Sequence, residues 1–217
     1  MLNQSPRKVF EPHDAYYESP IEEFFGLNLG KYIADHVVVK TQADVRTEWG
    51  SFRLDFLVSA DGENIGIECD GKQFHDRVRD ECRDALILGS SPVRRIYRFR
   101  GSDIVYFSAE ILYLLSKWEP WIFSERGRVN LEVLASPEAK ELEDQNDETV
   151  FLNFSEDGER RTIVIERHGR PRGDFWAFAQ TRKHKRFNEL FALWDAKRFD
   201  QSADKTDIDK LLDDLGQ

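Results

Sequence analysis

Residues 53–72 read RLDFLVSADGENIGIECDGK and continue into QFHD. Phe52, Leu54, Phe56 and Val58 alternate with Arg53, Asp55 and Leu57, the period-two signature of a strand with one buried face. Asp61-Gly62 supplies a tight turn, the glycine accepting a positive φ that other residues resist. In the second strand Ile65, Ile67 and Cys69 face one way, and Gly66, Glu68 and Asp70 the other. An acid inside an apolar strand costs free energy unless its charge is compensated. Asp55 and Glu68 fall on the polar side of neighbouring strands with Asp70 beside them, so three carboxylates converge at one sheet end. A hard divalent cation would relieve their repulsion, which makes this a candidate magnesium site. The pair also fits two solvated acids on the open face of an antiparallel sheet, and these strands alone leave that choice open.

On the upstream side, residues 1–18 read as an arm and Ser19 as a helix cap, with Pro20 at the first position and Glu22 at the third in capping-box spacing. Phe24, Phe25, Leu27 and Leu29 form the expected buried face of that helix. Val37–Gln42 is β-branched and reads as the first strand, reaching toward Arg46, with Lys40 and Gln42 on one face. Trp49-Gly50 marks the hairpin into the strand that carries Asp55.

Downstream, residues 76–89 read as a helix with Val78, Cys82, Ala85, Leu86 and Gly89 inward. Arg77, Arg79, Asp80, Arg83 and Asp84 fall on its outer or flanking faces, the pattern of a salt-bridged solvent face. Ser91-Pro92 ends it, and Val93–Phe99 follows as a strand, with Val93, Arg95, Tyr97 and Phe99 opposite Arg94, Ile96, Arg98 and Arg100. Those arginines offer bidentate phosphate binding or partners for the protein's own acids. Ile104–Trp118 is an amphipathic helix. Helix, three strands, helix, strand, helix makes an α/β core, a mixed β-sheet flanked by helices.

The ordered set over residues 15–117 resembles the PD-(D/E)xK, restriction-endonuclease-like nuclease superfamily, nearest to its very-short-patch-repair endonuclease-like branch. The residues that carry the likeness are Ser19-Pro20-Ile21-Glu22, Lys40-Thr41-Gln42, Asp55-Phe56, Glu68-Cys69-Asp70-Gly71 with His75, Asp80 and Arg83, and the Arg-rich strand 94–99. The resemblance implies a restriction-endonuclease-like core and Mg²⁺ (with Mn²⁺ able to substitute) held by Asp55, Glu68 and the Cys69 carbonyl. It also implies that Asp70 and Glu22 orient a second ion or the attacking water, although capping by itself accounts for Glu22. The superfamily pattern places Lys two residues after the Glu, where this chain has Asp70. The water-activating group is then unassigned among Lys72, Gln42, Lys40 and His75. Arg79 and Arg83 become candidates to reach the scissile phosphate. The implied activity is endonucleolytic hydrolysis of nucleic acid, DNA first. An RNA-directed nuclease and a nuclease fold without catalysis, serving in binding or assembly, are the rivals.

With 217 residues, the chain is long enough for one good core and a small appendage. Hydrophobic residues at 40% argue for a packed globule rather than a disordered chain. The net charge of −10 argues against avid, nonspecific coating of DNA, so any nucleic-acid contact requires a local basic face. Cys69 and Cys82 lie on apolar faces and read as core thiols of a reducing compartment. The N-terminal residues show no apolar signal core, and no stretch is long enough to span a bilayer, so a cytoplasmic protein with no membrane partner is expected. A homodimer is left open.

The expected divisions are the arm at 1–18, the core at 19–118, an acidic linker or helix at 119–149, a hairpin-helix extension of α+β character at 150–199 and an acidic tail at 200–217. Within the extension, Val150–Phe154 and Thr162–Glu166 read as a hairpin across a Ser-Glu-Asp-Gly turn. Phe187, Leu190, Phe191 and Trp194 have helical core spacing, and the cluster Arg182, Lys183, His184, Lys185, Arg186 is a candidate nucleic-acid contact surface.

Overall fold

The computed structural model describes residues 10–47, 50–71, 77–143, 149–156 and 159–169, with the backbone alone for 77–79, 81–82, 155–156 and 159. In chain order the elements are α1 (Pro20–Leu29), β1 (Val38–Thr47), β2 (Gly50–Ala60), β3 (Glu63–Asp70), α2 (Arg77–Ser90), β4 (Arg95–Arg100), α3 (Gly101–Trp118), α4 (Glu125–Leu134), α5 (Pro137–Glu141), β5 (Thr149–Glu156) and β6 (Glu159–Gly169). Short 3₁₀ turns at Pro12–Asp14 and Pro120–Ile122 precede α1 and α4. The six strands form one mixed sheet in the order β1-β2-β3-β4-β6-β5. Every pairing is antiparallel except β3 with β4, and a parallel pair needs a crossover, which α2 supplies. The architecture is α/β, a mixed sheet flanked by helices.

Local sequence explains the first hairpin. Asp61 (φ 51°) and Gly62 (φ 88°) both lie in the left-handed region, the conformation of a type I′ turn. In β2, Leu54, Phe56, Val58 and Ala60 are buried while Asp55, Leu57 and Ser59 are half-buried, as the alternation requires. β3 departs from its expected alternation: Gly66 and Glu68 are buried as well as Ile65, Ile67 and Cys69. Helices cover both faces of a central strand, so its polar side is enclosed too.

One face of the sheet packs on α1 and α3. Phe25 meets Phe56 edge-on at 5.3 Å and stacks near Phe99 at 5.6 Å, and Tyr97 stacks on Trp118 of α3. The buried stripe of α1 is Glu22, Phe25, Gly26 and Leu29, while Phe24, expected inside, is exposed. The helical period explains this, because position 24 turns away from the 22–25–29 stripe. At the far end of α3, buried Glu119 accepts hydrogen bonds from Tyr97 Oη at 2.8 Å and Trp121 Nε1 at 2.7 Å and pairs with Arg94. That cluster closes the core opposite the acidic sheet end.

Two sequence expectations change. The stretch expected as an exposed acidic helix or linker forms α4 and α5, capped by Ser124 and Ser136, and buries Leu131, Ala135 and Ala139. Those three residues recur every fourth position, an apolar seam that lets the segment pack on the body despite its charge. The 150–169 hairpin is part of the central sheet: β6 pairs with β4, placing Arg98 beside Glu166 and Ile96 beside His168. The basic cluster Arg182, Lys183, Lys185 and Arg186, the aromatic residues expected to form a helix beside it, the acidic tail and residues 1–9 lie outside the described residues. Among the described residues, no helix is long and apolar enough to cross a membrane.

Candidate functional site

The other face of the sheet, under α2, gathers the polar strand residues. Phe56 pairs with Ile67, so continuing the register sets Asp55 across from Glu68; Glu68 pairs in turn with Arg98. Asp55 Oδ2 accepts the Cys69 backbone N–H at 2.7 Å. Glu68 is only 6% exposed. From α2, Arg83 donates to Glu68 Oε1 at 2.5 Å and to the Arg53 carbonyl, tying β2 to β3.

Burial dominates the electrostatics. It pushes the Asp55 carboxyl up to about 6; Glu22 and Asp70 act in the same direction, and the Cys69 N–H and Arg83 oppose it. Burial likewise pushes Glu68 up to about 8, aided by Asp55 and Asp84 against Arg83 and Arg98. Asp55 raises Glu68, and Glu22 and Asp70 raise Asp55, so among the described residues these carboxyls are short of compensating positive charge.

Glu22 reaches this neighbourhood from the first turn of α1. Ser19 caps the helix by accepting the Glu22 N–H at 3.2 Å, but the reciprocal half of the expected capping box is absent. Glu22 Oε2 instead accepts from Glu18 N at 3.0 Å and from Gln42 Nε2 at 2.6 Å. Gln42 has φ 48°, and the β1–β2 ladder skips it between Thr41↔Phe56 and Ala43↔Leu54. A left-handed residue other than glycine costs on the order of 1–2 kcal/mol, which neighbouring structure must outweigh. The distortion lets Gln42 meet Glu22, opposite Asp55. Its Oε1 is buried with no hydrogen-bond partner among the described residues. Gln42 also lines an open cleft of about 910 Å³ along β1, together with Lys40, Tyr16 and Asp14.

Asp70 belongs to a second buried group. Arg98 grips Asp84 through Nε at 2.8 Å and Nη2 at 2.9 Å, and its Nη1 reaches Asp70 Oδ1 at 3.1 Å. His168 Nδ1 lies 2.6 Å from Asp84 Oδ2. Burial would raise Asp84, but Arg98 and His168 outweigh it and hold its carboxyl well below the usual range. Asp84, expected on an outer or flanking face of its helix, is completely buried because these partners compensate its charge. Sequence reading missed Asp84 and His168 as site-facing groups. The available signal was a histidine continuing the alternating run Ile163–His168, the same kind of polar intrusion that marked Asp55 and Glu68.

The structure thus brings together Glu22, Gln42, Asp55, Glu68, Asp70 and Arg83. Lys72 and His75 lie outside the described residues, as does the side chain of Arg79. The Cys69 thiol is buried and pushed up by burial, which leaves only the backbone of that residue as a ligand. Among the described residues, no group of three or more His, Cys, Asp or Glu side chains is gathered closely enough to hold a metal unaided. The donor chemistry nevertheless fits a hard cation: oxygen-only side chains, two raised carboxyls and the orphaned amide oxygen of Gln42. No family model, curated protein or solved structure matches the chain.

Proposed function

We propose that the chain is a metal-dependent endonuclease with a restriction-endonuclease-like core, hydrolysing phosphodiester bonds in nucleic acid, DNA first. The observation that carries this reading is the pair of half-buried Asp55 and buried Glu68, set on adjacent strands with both carboxyls raised. Asp55, Glu68 and the Cys69 carbonyl would hold Mg²⁺ or Mn²⁺, which when bound supplies Lewis-acid stabilisation at phosphorus. The Cys69 N–H fixes one oxygen of Asp55 and so the direction of the other. Gln42 and Glu22 form a hydrogen-bonded pair at the edge of the β1 cleft, where they orient water or a substrate hydroxyl. Arg83 holds Glu68 and carries positive charge into the site, a position suited to a phosphate oxygen.

The contact between Arg83 and Glu68 also favours a second reading. A guanidinium already compensates Glu68, and Asp70 stands where the superfamily has Lys, which suits a nuclease fold used for binding or assembly. Incubating the full chain with plasmid, nicked, mismatched and single-stranded DNA, and with RNA, in Mg²⁺ or Mn²⁺ separates the readings. The enzyme reading expects metal-dependent cleavage that Asp55→Ala and Glu68→Ala each abolish. Cleavage that survives both substitutions places the chemistry elsewhere, and a chain that neither cleaves nor takes up Mn²⁺ by calorimetry is the binding module.

A further inference from the structure

We infer that His168 and Asp84 are positioning residues: acting through Arg98, they fix the Asp70 carboxylate beside Glu68, so that the β5–β6 hairpin completes the site. This inference rests on the nuclease reading above. Asp84 engages two nitrogens of the Arg98 guanidinium, at 2.8 and 2.9 Å. A planar fork gripped in this way cannot rotate, so the direction of its third nitrogen is set, and that nitrogen meets Asp70 at 3.1 Å. Asp84 is in turn held by His168 at 2.6 Å. The ionised carboxylate can only accept, so His168 Nδ1 carries the hydrogen. His168 Nε2 lies 3.5 Å from Glu166 Oε2 on the other side of the ring.

Asp84, Arg98 and His168 come from α2, β4 and β6, and none is more than 3% exposed. Apolar residues of similar volume would hold three elements together as well as a buried ion network does. What an apolar core cannot do is deliver an oriented donor to Asp70, next in line but one after Glu68 on β3. Groups that orient ligands from behind are typically worth ten- to a hundredfold in metal affinity.

The test is a double-mutant cycle read by Mn²⁺ calorimetry on the full chain, with a thermal melt in chelator to confirm folding. His168→Leu is expected to weaken Mn²⁺ binding about tenfold in the wild-type background and hardly at all in the Asp70→Asn background. His168→Asn, which keeps a donor nitrogen at the δ position, is expected to recover most of the loss. If His168→Leu does not fold, Asp84→Asn is read in the same cycle. Equal losses in both backgrounds, or no loss in either, overturn the positioning role while leaving the nuclease reading intact. A wild-type chain that takes up no Mn²⁺ overturns both.

Discussion

Replacing Glu68 by Gln isolates what one buried carboxyl does to stability. Its pKa is pushed from 4.5 up to about 8, by burial first and then by Asp55 and Asp84, against the pull of Arg83 and Arg98. A carboxyl whose folded pKa lies above its unfolded value binds its proton more tightly in the folded chain. Its contribution is therefore complete below 4.5 and is lost as pH rises through about 8. At about 1.4 kcal/mol per pH unit, crossing that whole window costs on the order of 5 kcal/mol. Asp55 acts in the same direction at lower pH, between 3.8 and about 6. The assay is urea denaturation of wild type and Glu68→Gln in chelator, at steps from about pH 5 to about pH 9. The wild type should lose several kcal/mol over this range, and the variant should be nearly flat once Asp55 has ionised. Gln also leaves Arg83 without its carboxylate, but the readout is the difference in slope and not the offset. Parallel curves for the two proteins would refute a buried, titrating Glu68.

Arg83→Met removes the guanidinium from Glu68. The expected loss is about 3 kcal/mol near pH 9, where Glu68 is ionised, shrinking toward pH 6, and the same denaturation series measures it. Gly127→Ala would set a Cβ 2.3 Å from the Tyr32 carbonyl oxygen, a backbone atom that cannot swing aside. It should cost at least about 1 kcal/mol, seen as a thermal midpoint lower by a few degrees.

Where the sequence is periodic and the pairing local, the fold was legible in it. The β2–β3 hairpin followed from alternation and Asp61-Gly62, and with it came the meeting of Asp55 and Glu68. Contacts between distant segments were less legible. His168 and Asp84 are 84 positions apart, and nothing in either segment's own pattern says that β6 lies against β4. Asp84 looked solvent-facing because a charge on a helix flank is cheap in water; only Arg98 and His168 make its burial tolerable. Gln42 was identified by its place in a motif, yet its left-handed backbone is not encoded by a glycine and arises from the Glu22 contact and its surroundings. The α4–α5 segment is helical and largely exposed, as its acidic composition suggests; what that composition hid is the seam of Leu131, Ala135 and Ala139 at fourfold spacing.

The two guanidiniums at the site do different work, and their settings say why. Asp55, Glu68, Asp70 and Asp84 crowd one sheet face with Glu22 near Asp55, and among the described residues Arg83 and Arg98 are the arginines that meet Glu68, Asp70 and Asp84 there. Among the described residues acids outnumber bases at this site, and the carboxyls of Asp55 and Glu68 are raised accordingly. Arg98 is buried and forked onto Asp84, so moving it would strand a charge in the core. Arg83 is about 22% exposed, and its guanidinium donates to one carboxylate oxygen and one backbone carbonyl. It can swing to solvent with its charge hydrated. On the nuclease reading, then, Asp55 and Glu68 would hold the cation in place of their protons, Arg83 would be the arginine free to give way, and Arg98 would stay and keep Asp70 in line.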